Sequence, residues 1–62
     1  MCEFKVFLKG EKVAEDVVYA MQEKGKVTLK DIIGRSLTID DVEIQEVDVM
    51  LTSLLLVQKN VG

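Results

Sequence analysis

Sixty-two residues leave room for one domain and one core, and a domain of about 60 residues buries only roughly 60% of the surface its unfolded chain exposes. The single cysteine excludes a disulfide within the chain, removes one common remedy for so small a core, and predicts a reducing, cytoplasmic setting. Eleven acidic against eight basic side chains, a net charge of −3, argue against electrostatic binding of nucleic acid, and the longest apolar run, Leu54-Leu55-Leu56-Val57, is far short of the roughly 20 residues that span a bilayer.

Along the chain, Cys2, Phe4, Val6 and Leu8 alternate with Glu3, Lys5, Phe7 and Lys9, which predicts a half-buried strand with the cysteine on its apolar face. Gly10, Gly25 and Gly34 fall singly between strand-like stretches and read as turns. Glu11 to Lys24 is ambiguous. Val13, Val17 and Met21 recur at helical spacing, yet Val17, Tyr19 and Met21 also alternate, and the β-branched pair Val17-Val18 favours a strand. The strand-like segments around it tip the balance to strand.

Further on, Val27 and Leu29 alternate with Thr28 and Lys30, and Leu37 and Ile39 with Ser36, Thr38 and Asp40, so both segments predict strands with one wet face. From Val42 to Leu51 the apolar positions begin at Val42 and Ile44 and then skip to Val47, Val49 and Leu51. A β-bulge near Gln45-Glu46 would restore the phase. Leu54 to Val57 is apolar on both faces, so its outer side needs cover from another element or another copy of the chain; a core strand and a dimer interface both fit. The pattern as a whole predicts an all-β domain spanning 1–62.

Catalytic machinery is missing. With no histidine the commonest general base and metal ligand are both absent, and neither Ser36, Ser53 nor Cys2 has a base partner. The pairs Glu15-Asp16 and Asp40-Asp41 read as turn or strand-entry features on a solvated surface rather than as acid/base carboxylates. No glycine-rich phosphate loop is present. The lysines are spread from Lys5 to Lys59 rather than clustered, and only Phe4, Phe7 and Tyr19 could stack on bases.

Cys2 is the residue with chemistry to offer. Buried core cysteine is one reading, since free cysteine is among the most buried residue types. Its place next to the initiator position gives another: a thiolate beside an amine and deprotonated backbone nitrogens forms a compact chelate for square-planar Ni(II) or Cu(II). One such terminus supplies few sulfurs, and two Cys2 side chains meeting across a two-fold axis are the simplest completion. A redox-sensing thiol is a further option, disfavoured by Glu3 next door, which raises the thiol pKa.

Met1-Cys2-Glu3 with Lys5-Val6, then Leu8-Lys9-Gly10-Glu11, Glu15-Asp16-Val17-Val18-Tyr19 and Val27 to Gly34, resemble the CooT-type proteins over nearly the whole chain. These are nickel-binding accessory proteins of carbon monoxide dehydrogenase maturation. The resemblance implies a small SH3-like or Sm-like β-barrel of about six short antiparallel strands, with Glu11 to Lys24 extended. It also implies a cytoplasmic homodimer that is not an enzyme, with Cys2 as its Ni(II) ligand, supporting nickel insertion into carbon monoxide dehydrogenase or a related client. The alternative function is a small RNA-binding or protein-scaffolding module in which Cys2 is only a core residue.

Overall fold

The computed structural model describes residues 3–59, in which the alternating segments become six strands: β1 (Phe4–Leu8), β2 (Glu11–Glu23), β3 (Lys26–Asp31), β4 (Ser36–Asp40), β5 (Val42–Asp48) and β6 (Ser53–Gln58). Two Lys-Gly pairs make the first hairpins. Lys9-Gly10 and Lys24-Gly25 all have positive φ (55° and 76°, 45° and 80°), the signature of the type I′ turn whose twist matches the strands it joins.

Glu11 to Glu23 is one 13-residue strand that serves two partners. Its first half pairs with β1 and its second with β3, and the two ladders meet at Val17, opposite Phe4 on one side and Asp31 on the other. The β1 register slips between Phe4 and Val6 and again between Val6 and Phe7, and the β3 register slips between Val17 and Tyr19. Each slip inserts an extra residue into β2 and changes which face the next side chain takes. That is why Val13, Ala14 and Val17 all reach the core although strict alternation would not allow it. The helical spacing of valines is the imprint of bulges on a strand, and Asp16 (φ 57°) sits at one of them.

Val6, Val17, Val27, Leu29, Val42, Leu54 and Leu56 form the buried core, with Phe4, Leu8, Val13, Ala14, Ile39 and Ile44 packed around it. The bulge expected near Gln45-Glu46 is present: Ile44 faces Leu56 and Glu46 faces Leu55, leaving Gln45 as the extra residue. Val49 and Leu51 differ from expectation, since β5 ends at Asp48 and both lie in the exposed turn to β6. There Asp48 Oδ1 accepts the Leu51 amide at 3.0 Å, which closes the turn before a further alternation can develop.

The all-β expectation holds, but a closed barrel of antiparallel strands does not. The strands form one mixed sheet in the order β4-β3-β2-β1-β6-β5, and β1 pairs with β6 in parallel, opened by the Lys5 amide donating to Thr52 O at 2.9 Å. The two edge strands, β4 and β5, are separated only by Asp41, held at φ 63°. A one-residue link cannot reverse the chain, so the strands cannot pair with each other and the ladder stays open. Part of the seam is sealed another way. The Val42 amide donates to Gly25 O at 3.2 Å, and the Ile44 amide to Gln22 Oε1 at 2.8 Å.

Candidate functional site

Cys2, the expected metal ligand, lies outside the described residues; the strand it precedes begins at Phe4. That entry point is well defined. Phe4 stands opposite Val17 at the bend of β2, and the next residue, Lys5, is tied to the β5–β6 turn through Thr52. Beside it opens a gap of about 230 Å³ between the second half of β2 and β5, lined by Phe4, Val18, Tyr19, Ile44 and Val47 among others. The gap exists because β5 leaves β2 after the Gln22–Ile44 bond. The adjoining turn adds Val49, Leu51 and Met50, the last 94% exposed. The start of β1 thus lies beside an apolar gap and is tied through Thr52 to a turn that exposes Val49, Met50 and Leu51.

Among the described residues no group of three or more His, Cys, Asp or Glu side chains is arranged to hold a metal ion. Of the acidic residues singled out from the sequence, Glu15 has its carboxylate in an ion pair, and Asp16 and Asp41 are tied into the fold through their backbones. Glu15 accepts a hydrogen bond from Lys12 Nζ at 2.7 Å, and that bond together with the lysine's charge lowers its pKa. The Asp16 carbonyl accepts the Ile32 amide, and the Asp41 amide donates to Gly25 O. Ser36 is a strand residue at the sheet edge, and Ser53 opens β6 beside a groove. None of these groups is brought together with another as an acid/base pair.

Asp31 was not visible as a key residue in the sequence. Its Oδ1 accepts the Ile33 amide at 3.1 Å and the Arg35 amide at 2.8 Å, while Oδ2 accepts Arg35 Nε at 2.8 Å. Desolvation pushes its pKa up, but the Arg35 side chain, the two amides and the guanidinium charge outweigh this and leave it lowered. The signal that could have found it is an aspartate heading a turn of the form Asp-x-x-Gly-Arg, where the carboxylate caps the amides that follow.

On the outer face of the sheet, Phe7, Leu55 and Val57 line a groove of about 690 Å³. Leu54 and Leu56 are buried on the opposite side of the same strand. The run Leu54 to Val57 is thus a strand inside the sheet, flanked by β1 and β5, with its second apolar face directed to solvent. Tyr19 is the most exposed aromatic ring, and Lys30 Nζ lies 4.8 Å from its centroid, a cation–π contact that occupies one face. No helix is long and apolar enough to cross a membrane among the described residues.

No curated protein matches the chain. The profile of a family described as the CO dehydrogenase accessory protein CooT matches residues 1–60, nearly its whole length and including Cys2, and on that match the chain belongs to the CooT family.

Proposed function

We propose that this protein is a nickel-handling accessory factor that binds Ni(II) through Cys2, delivers it to carbon monoxide dehydrogenase or a related nickel enzyme, and turns over no substrate itself. The observation that carries the reading is the family match over residues 1–60, which takes in the Met-Cys-Glu opening. The donor chemistry supports it. With no histidine in the chain, and no group of three or more carboxylates arranged for a metal among the described residues, the thiolate of Cys2 and nearby backbone nitrogen are the soft and strong-field donors on offer, a set suited to square-planar Ni(II).

One cysteine per chain is too few for a thiolate-rich site, so the protein works as a homodimer in which two Cys2 side chains share the ion. The apolar surface around the start of β1 supports an assembly there, because burying Val47, Val49, Met50 and Leu51 against a second copy removes apolar area from water. Nickel is cargo here, held to be passed on.

Titrating Ni(II) into the protein and its Cys2→Ser variant tests this. Thiolate-to-nickel charge-transfer absorption is expected in the first and not in the second, with one ion per two chains by native mass spectrometry. Equal binding by both proteins would remove the proposal.

A further inference from the structure

The hydrogen-bond phase of β4 has a consequence for assembly that is independent of nickel. At the two ends of the β3–β4 ladder, the Asp31 amide donates to Arg35 O and the Asp41 amide to Gly25 O. Both lie on the register that pairs Leu29 with Leu37 and Val27 with Ile39. In an antiparallel ladder bonded and non-bonded pairs alternate. Leu37 and Ile39 therefore turn their backbone groups to β3, and Ser36, Thr38 and Asp40 turn theirs outward, at the edge of the sheet. β4 carries no proline, no lysine and no bulge to guard its open edge, and Asp40 is its one charged residue. Beside the edge Leu37 is 44% exposed, at the rim of a cavity of about 280 Å³ that also includes Ala14, Leu29 and Arg35.

The geometry points to a second copy of this chain as the occupant, its β4 adding antiparallel to β4 about a two-fold axis through Thr38. That register alone uses all three outward residues of both strands, pairing Thr38 with the partner's Thr38 and Ser36 with the partner's Asp40 in six backbone hydrogen bonds. It also sets the half-exposed Leu37 against the partner's Ile39. Just beyond the strand ends it brings Arg35, 78% exposed, alongside the partner's Asp41, so opposite charges meet at both ends. Shifting the axis to Asp40 would oppose two aspartates and keep one bonded pair of the three, losing four of the six bonds. The contact is separate from the N-terminal surface, so neither excludes the other.

Cysteine cross-linking in the Cys2→Ser background reads the register without nickel. Thr38→Cys places two thiols at the axis with Cα atoms about 5.5 Å apart, within disulfide reach. Ser36→Cys places them roughly 14 Å apart. Mild oxidation of the folded protein is expected to give a cross-linked dimer from the first and at least tenfold less from the second. Equal yields, or none from either, overturn the proposal. In reductant, sedimentation of Thr38→Pro is the second readout, because that residue's amide faces outward and proline removes it while leaving the β3 ladder intact. Its mass is expected to be half that of the parent, and an unchanged mass would count against the edge contact. Should the proline variant fail to fold, the cross-linking result decides.

Discussion

Asp31 shows how one side chain holds a turn. Its carboxylate collects two amides and a guanidinium in the turn leading into β4 while keeping only 14% of its exposure, so ionisation and turn geometry are coupled. Because the folded pKa lies below the ordinary value of 3.8, the charged form is favoured by folding. Its contribution is complete above that value and is lost as pH falls through the lower, folded one. Asp31→Asn is therefore expected to be less stable than the parent at pH 6, with the two urea midpoints converging towards pH 2. A constant gap across that range would show that the charge is not what matters. The paired acids Glu15-Asp16 and Asp40-Asp41 stand out in the sequence because adjacency is visible in one dimension. The Asp31–Arg35 arrangement needs a turn before its four-residue separation means anything.

At the scale of the element, β2 is the most instructive. Val13 and Val17 both reach the core at helical spacing because a bulge between them resets the alternation, while Met21 falls on the exposed face, and no periodicity within the segment reveals where partner strands will slip. The bulge at Gln45 was legible for the opposite reason: the apolar run around it keeps its phase on both sides, so one skipped position stands out. The partnership of Gln22 with Ile44 links residues far apart in sequence and left no local trace. That bond lies where β5 crosses the β2–β3 hairpin, and Gln22→Met keeps the volume while removing the acceptor. A loss of about 1 kcal/mol is expected in urea unfolding. Faster hydrogen exchange at the Ile44 amide is expected alongside it, and a variant with unchanged exchange there would refute the seam's role.

Across the whole molecule, the all-β class and the inward residues of β1 and β3 were readable from alternation, whereas the inward face of β6, apolar on both sides, and the mixed sheet were not. Nothing in a strand's own residues states whether its neighbour runs with it or against it; that follows from where the one-residue joint at Asp41 sends the chain. Cys2 was legible as a chemical candidate, whereas the tie from Lys5 to the β5–β6 turn was not, because that turn arrives from the other end of the sequence. The core is small, and Leu29, 1% exposed, lies in the middle strand of the β2–β3–β4 part of the sheet. Leu29→Ala is expected to cost about 2–5 kcal/mol. In a domain whose core supplies only a few kcal/mol, that removes most of the cooperative urea transition at 25 °C. A variant retaining the parent's midpoint would mean that the stability resides elsewhere, in an assembly rather than in the chain.

The parallel pairing of β1 with β6 sets an order of events during synthesis. Every other ladder joins strands that are neighbours in the chain, whereas Lys5 meets Ser53 only after nearly the whole sequence is available. Closing so long a loop is the slow, entropically costly step. Emerging first from the ribosome, β1 waits for β6, and the anchoring of Lys5 to Thr52 is among the last bonds made. A chain cut short before Ser53 leaves the start of β1 without its second neighbour, so that end of the sheet is complete only once β6 has been made.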